Sequence, residues 1–398
     1  MSKSILFISQ SYPESRIGEY SRYTKVGLDY AANNLSRAII RGFEDNQINV
    51  NIINYPLLGS FPIYYKSPIV KGYNSSDNNY DSISYLNIIY LKRRFIRNKV
   101  YSKIEKWCSQ TSGEKIIFFY SYTFLPIITK LKKKYKDLKT CVLIADLPEF
   151  MSTDNGIITR IHHLMGGNKP ITGECFQLVD GYVLLTSAMK DRMPMHNKPW
   201  IVIEGIYNPE KDKVSVDKEV NKTLLYTGDL GRRYGIVDLL EAFHGIPDEN
   251  YRLWICGSGD GLEDIKRYMR EDNRIIYWGC LPRKEIIAMQ KKATLLVNPR
   301  KSNEEYTKYS FPSKTMEYMA SGTPTLMSRL QCIPKDYDEH LFFFENETVE
   351  GLRSRIVEIC NKSKDELKLI GDNASRFILN NKMPKPQVSK IAHFLYSL

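Results

Sequence analysis

The chain has 398 residues, 42% hydrophobic and 26% charged, with a formal net charge of +12. At roughly 100–200 residues per domain this length predicts two domains, and the apolar content excludes a disordered chain. No run approaches the ~20 apolar residues of a membrane span, and the apolar start SILFIS is too short for a secretory signal, so a cytoplasmic protein is expected.

SILFIS (4–9) reads as a first β-strand, LDYAANNLSRAIIRGFED (28–45) as a helix, and VNIIN (50–54) as a second strand. Leu28, Ala31, Ala32, Leu35, Ala38 and Ile39 share one face of that helix, so the chain opens as a βαβ unit. Residues 56–85, rich in Tyr, Asn, Ser and Pro, read as a long irregular insertion. EKIIFFYS (114–121), TCVLIAD (140–146), GYVLLTS (181–187) and PWIVIEG (199–205) are apolar runs suited to strands buried on both faces of a parallel sheet. The charged stretch NPEKDKVSVDKEVNK (208–222) reads as a linker, with the two halves meeting near 205–220.

A second α/β series follows. LLYTG, YRLWICGSG (251–259), RIIYWG (274–279), TLLVNP (294–299) and PTLMS (324–328) read as strands. VDLLEAFHGI (237–246), LEDIKRYMRE (262–271), KEIIAMQKKA (284–293) and FPSKTMEYMAS (311–321) read as the helices between them. The last of these should carry Pro312 in its first turn, with Gly322 as a left-handed cap. PQVSKIAHFLYSL (386–398) has the composition of a docking helix, placed on the first domain. The expected boundaries are 1–205, joined by that helix, and 206–385.

Charge is uneven. Residues 1–200 hold 27 basic and 16 acidic side chains, a net of +11, so the second half is almost neutral. LKRRFIRNK (91–99) and KLKKKYKDLK (130–139) are the densest stretches, interleaved with Tyr and Phe. Solvated helix faces are the plain reading; an anionic membrane surface is the functional one. No nucleic-acid-binding motif accompanies them, so no nucleic-acid partner is expected. Seven cysteines, an odd number with no C-x-x-C pair, fit reduced core residues. His162-His163 is the only histidine cluster and a poor metal site; no metal or cofactor is expected.

Two stretches carry chemistry. The start of FPSKTMEYMAS offers an anion the free N–H groups near 311–314 and a dipole end, so Ser310, Phe311, Pro312 (which itself has no N–H), Ser313 and Lys314 are the candidate donor-binding residues. Glu317, one turn in, cannot hold a phosphate but can accept hydrogen bonds from a ribose beside one. TGDLGRRYG (227–235) follows a strand and precedes a helix, where open α/β sheets bind ligands. Its Arg232 and Arg233 suit a diphosphate. It is neither a Walker A loop nor G-x-G-x-x-G. GSGDG (257–261), with Gly257, is a weaker Gly-rich loop of the same kind.

In this order the segments LLYTGDLGRRYGIVDLLEAF, YRLWICGSGDGLEDIK, NRIIYWGCLPRKEI, TLLVNPR and FPSKTMEYMASGTPTL resemble the nucleotide-sugar domain of GT-B glycosyltransferases of family 4. The first half resembles the partner domain more loosely. The resemblance implies an α/β chain of two Rossmann-like domains with a cleft between them, and an EC 2.4 glycosyl transferase that needs no metal. It further implies a nucleotide-sugar donor, a glycan or polyprenyl-diphosphate-linked acceptor, retention of configuration, and work on the inner membrane face in surface polysaccharide or glycoconjugate synthesis. Carried over, Glu317 holds the ribose, while Gly27, Gly228 and Gly257 lie near the donor phosphates. Arg232 and Arg233 stabilise the leaving diphosphate, and Asp146 positions the acceptor hydroxyl. Tyr309 stands where the family has its donor-sugar glutamate, with Glu304 and Glu305 out of register, and Asp229 stands where the family's phosphate-loop arginine is expected. Those departures keep two other readings in view: a non-catalytic partner subunit on the same scaffold, and a nucleotide-sugar epimerase.

Overall fold

In the computed structural model, residues 3–73, 79–147, 173–209 and 216–398 are described. His162-His163 and residues 210–215 of the expected linker lie outside them. The chain forms two compact units, Met1–Asn208 with Pro384–Leu398, and Pro209–Met383.

The first unit is built on a parallel sheet. Its strands are β1 (Lys3–Ser9), β2 (Val50–Asn54), β4 (Tyr80–Ser82), β6 (Glu114–Phe119), β7 (Lys139–Ile144), β8 (Gly181–Leu184) and β9 (Trp200–Val202), in the order β4-β2-β1-β6-β7-β8-β9. β1 pairs with β2 through Ile5–Val50 and with β6 through Ile5–Ile116, so the strand order reverses between β1 and β6. The continuous apolar runs follow from burial on both faces: Phe7, Phe118 and Leu143 are fully buried, and the Phe7 and Phe118 rings stack at 5.1 Å.

The helix Tyr30–Asp45 covers one face beside the helix Pro384–Ser397. Gly42 permits this approach, since a Cβ there would lie 2.6 Å from the Pro384 carbonyl oxygen. Ile39, Phe43, Val388, Ile391 and Leu395 join β1 and β6 side chains in one core.

Two expectations need correction here. The helix Glu14–Tyr23 intervenes between β1 and the helix Tyr30–Asp45, so the unit does not open as a simple βαβ. Residues 56–85 are also more than irregular: β4 extends the main sheet beyond β2, and β3 (Ile69–Val70) pairs antiparallel with β5 (Tyr85–Leu86).

The second unit has a six-stranded parallel sheet. Its strands are β10 (Lys222–Asp229), β11 (Tyr251–Ser258), β12 (Ile275–Tyr277), β13 (Leu295–Asn298), β14 (Thr325–Ser328) and β15 (Phe342–Phe344), in the order β12-β11-β10-β13-β14-β15. Helices Ile236–His244, Leu262–Glu271, Arg283–Lys292 and Ser313–Ala320 connect them, and Val349–Cys360 and Lys364–Asn381 follow. Pro312 precedes the helix Ser313–Ala320 as its cap residue, with ψ 98°, rather than standing inside its first turn. Gly322 does adopt a left-handed φ of 78° just beyond its end. Here the order reverses between β10 and β13, and the crevice beyond the carboxyl ends of these two strands is where such sheets bind ligands.

Candidate functional site

β10 ends in the loop Gly228–Arg233, and β11 ends in the loop Gly257–Gly261. Gly228 and Gly257 are register partners. Gly257 has φ +138°, and a Cβ there would sit 1.8 Å from the Gly228 carbonyl oxygen, so glycine is required for the two strand ends to touch. Leu230 N–H donates to Ser258 O and Gly261 N–H to Leu230 O, both at 2.9 Å, which locks the loops together.

Asp229 holds the first loop from within: its Oδ1 accepts from Gly231 N–H at 2.8 Å. An arginine in its place would supply a cation, whereas this aspartate supplies a turn. The two arginines that follow part company. Arg232 turns away from the crevice to pair with Asp264 through Nε at 2.7 Å, and its side chain is 59% exposed. Arg233 lies over the Tyr234 ring at 4.7 Å and the Tyr306 ring at 5.7 Å, and donates to Tyr234 Oη at 2.5 Å.

A residue that motif reading passes over completes this cluster. Arg300, two positions beyond β13, lies over Tyr306 at 4.4 Å and Tyr234 at 5.6 Å. It is 7% exposed, and its buried Nε has no hydrogen-bond acceptor among the described residues. Neither Arg233 nor Arg300 has a carboxylate within ion-pair distance among those residues. Two guanidinium groups on two tyrosines at the reversal of strand order form a cationic cluster in which Arg233 is exposed and feels the negative charge of Asp229, while Arg300 is the buried cation, and a buried cation of this kind calls for an anionic partner.

Glu317 sits in the helix Ser313–Ala320, with its side chain 13% exposed. Its Oε1 accepts from Gln290 Nε2 at 2.7 Å and from Lys314 Nζ at 2.9 Å. Its Oε2 lies 3.9 Å from Arg283 Nε. Burial alone would push this carboxyl up, but Lys314, Gln290 and Arg283 outweigh it and hold the pKa below the usual range. Ser321, one turn further on, donates to the Tyr318 carbonyl at 2.6 Å. The next residue ties the helix to β10: the buried Tyr318 hydroxyl accepts from Thr227 N–H at 2.7 Å and donates to Thr227 O at 3.0 Å.

Tyr309 closes the 3₁₀ turn Glu305–Lys308 and is half-buried, while Glu304 and Glu305 are exposed. Ser310 runs on to the buried Phe311 and Pro312, and Ser313 opens the helix at the surface. Thr315 N–H is already bonded to Pro312 O at 2.9 Å, so it adds nothing to an anion site.

In the first unit Gly27 does not follow β1. It lies on an exposed loop after the helix Glu14–Tyr23, with open space around its Cα. The loop that does follow β1 is held by buried polar side chains. Asn33 Oδ1 accepts from Tyr12 N–H at 2.8 Å, Ser36 Oγ from Gln10 N–H at 3.1 Å, and Asn54 Oδ1 from Ser11 N–H at 2.8 Å. Asn33 and Ser36 thus occupy the inner stripe of their helix, whereas Ala31, expected there, is exposed. Their i, i+3 spacing was a legible signal masked by their polarity.

Asp146 stands exposed just past β7. Partial desolvation at the strand end and then the negative charge of Asp29 push its carboxyl up. Past β6, Tyr120 is 3% exposed with no partner for its hydroxyl among the described residues, and Asp29 and Asp146 both act on it electrostatically.

Residues 207–377 match the family model described as Glycosyl transferases group 1. No curated protein matches the sequence significantly. Among solved structures, the chain resembles a sucrose-phosphate synthase from Thermosynechococcus elongatus, with a TM-score of 0.64 at 13% identity, covering 100% of this chain and 99% of that one. It resembles the lipopolysaccharide outer core galactosyltransferase WaaB in its apo form, with a TM-score of 0.60 at 17% identity and coverage of 100% and 99%. Anabaena Alr3699/HepE, solved in complex with UDP, matches with a TM-score of 0.59 at 12% identity and coverage of 99% and 100%.

Proposed function

We propose that this chain, whose residues 207–377 match the glycosyl transferases group 1 model and whose fold resembles GT-B enzymes, is a glycosyltransferase acting on a nucleotide-sugar, with a donor site in the second unit and an acceptor site in the first. The observation that carries the donor site is the pair Arg233 and Arg300, with no carboxylate in ion-pair contact among the described residues, at the reversal of strand order in the second sheet. These cations, with the helix amides at Ser313 and Lys314, take the charge of the departing diphosphate, and no metal is needed for that task. Arg232, bound to Asp264, lies outside this set.

Glu317 stays ionised in its basic surroundings and accepts the ribose hydroxyls through Oε2, since Oε1 is occupied. Tyr309 offers a hydroxyl to the donor sugar in place of a carboxylate. It lacks the negative charge that would stabilise an oxocarbenium-like centre, so the diphosphate oxygen on the same face carries that role. It also takes the acceptor proton, which gives retention without a protein nucleophile. Asp146, its pKa raised, positions the acceptor hydroxyl in the first unit.

The acceptor is a glycan or a polyprenyl-diphosphate-linked sugar, in surface polysaccharide or glycoconjugate synthesis. The basic first half brings the protein to an anionic membrane on its cytoplasmic side. None of the helices of the described residues is long and apolar enough to cross one. The test is a thermal-shift screen of UDP-, GDP-, TDP-, ADP- and CMP-sugars with EDTA present, followed by product detection. Uridine donors come first because a structural neighbour binds UDP. Stabilisation by one nucleotide class with slow donor hydrolysis supports the reading. No stabilisation by any of them would favour a non-catalytic scaffold, with Tyr309 as its mark.

A further inference from the structure

Eight of the fifteen large hydrophobic side chains exposed among the described residues fall in three short segments of the first unit, 22–30, 61–73 and 88–99. Val26 is 47% exposed, Tyr30 52%, Ile63 40% and Ile69 50%. The same 34 residues hold nine Lys or Arg and one acid, Asp29, a net of +8 out of +12 for the whole chain. Arg22, Lys25, Lys66, Lys71, Arg93 and Arg94 are all exposed.

Backbone hydrogen bonds join the segments into one lobe. Lys25 N–H donates to Tyr64 O and Lys66 N–H to Tyr23 O, each at 2.9 Å, around an antiparallel bridge between Thr24 and Tyr65. Phe61 N–H donates to Asn87 O at 2.8 Å, and Ile89 N–H to Phe61 O at 3.1 Å. Tyr65 is buried beneath, its ring 5.8 Å from that of Tyr23. The outward side chains are therefore held on a fixed base, so they lose little freedom on meeting a partner.

We propose that this lobe, centred on Tyr23, Val26, Ile63 and Tyr64 and ringed by Lys25, Lys66, Arg93 and Arg94, is a surface that inserts into the headgroup layer of an anionic phospholipid bilayer. Aliphatic and tyrosine side chains interleaved with long cations match a layer that is apolar within and negatively charged at its surface. A polynucleotide would use the cations but leave Val26, Ile63 and Ile69 in water. A second copy brought face to face would set nine basic residues against nine, which opposes a two-fold dimer through this face.

The proposal rests on the membrane association stated under the proposed function, and moves the contact from charge alone to an inserted apolar lobe. The test is co-sedimentation of the full chain with vesicles of phosphatidylcholine alone and of phosphatidylcholine with phosphatidylglycerol, at low and high salt. The parent protein should bind the anionic vesicles and keep part of that binding at high salt. The variant with Tyr23→Ser, Val26→Ser, Ile63→Ser and Tyr64→Ser should lose about tenfold or more in affinity, chiefly the salt-resistant part. Arg93→Gln with Arg94→Gln should lose the salt-sensitive part instead.

Binding of the serine variant equal to the parent's overturns the lobe while leaving membrane association standing. Failure of the parent on both vesicles overturns both. A dimer of the parent that the serine variant breaks would assign the surface to a second copy and overturn the proposal. Should the fourfold variant not fold, Tyr23→Trp gives an independent reading: its emission should shift to the blue and be quenched by brominated lipid in anionic vesicles. Unchanged emission in vesicles that do bind the protein overturns the insertion.

Discussion

The guanidinium carbon of Arg300 lies 4.4 Å from the centre of the Tyr306 ring, with no carboxylate within ion-pair distance among the described residues. A cation in that setting is stabilised by the ring face and remains available to an anion. Arg300→Ala should lower donor kcat/KM by roughly 100-fold, about 3 kcal/mol of lost charge stabilisation. Arg300→Lys should restore only part of it, because an ammonium lacks the planar fork. Arg232→Ala, by contrast, should change donor kcat/KM less than about threefold, since it breaks an exposed pair with Asp264. Steady-state kinetics with saturating acceptor separates the two arginines.

Glu317 links binding to acid stability. Its carboxyl is depressed in the folded protein, so its contribution to stability is full above the unfolded value of about 4.3 and is lost as pH falls through the lower folded value. Glu317→Gln removes that proton linkage. Urea titrations below about pH 4.3 should show a shallower decline in stability for the variant than for the parent. At neutral pH the same variant should bind nucleotide about tenfold more weakly, through the lost charge-assisted bonds to ribose. Parallel curves in acid with unchanged nucleotide affinity would remove both assignments.

Tyr318 and Thr227 give a prediction about the scaffold alone. Tyr318→Phe leaves the Thr227 N–H and C=O buried without their partner, which should destabilise the protein by about 1–3 kcal/mol. Thermal unfolding should show it, and nucleotide should still shift the midpoint, because the hydroxyl points to the strand and not to the crevice.

The second unit was the more legible half. Its strands alternate with helices of clear period, and LEDIKRYMRE (262–271) is the helix Leu262–Glu271 to the residue. The helix Glu14–Tyr23 was not legible for a physical reason: ESRIGEYSRY buries only Tyr20, and no side chain caps its start, so there is no apolar stripe to read. The strand β4 escapes for a related reason, since Tyr80–Ser82 is three residues long and fully buried only at Ser82. Lys364–Asn381 did carry a signal, the Ser363–Glu366 capping box.

At the candidate site, motif reading found Arg233 and Glu317 but could not separate Arg232 from Arg233. Their fates depend on Asp264 and Tyr306, which are distant in sequence. Arg300 follows the apolar run of β13 and belongs to no motif; its weight comes only from burial.

Gly257→Ala tests the contact of the two loops. A Cβ 1.8 Å from the Gly228 carbonyl oxygen, at φ +138°, should cost about 3 kcal/mol or more and lower the unfolding midpoint. If the alanine variant is as stable as the parent, the close approach of the two strand ends is wrong.

The most direct test of the central claim is calorimetric titration of UDP, and then the other nucleoside diphosphates, into the parent protein and into Arg300→Ala, with EDTA throughout. One nucleoside diphosphate should bind the parent without metal, and bind the variant about tenfold or more weakly. Binding that appears only when a divalent metal is restored, or that is equal in both proteins, would contradict that claim.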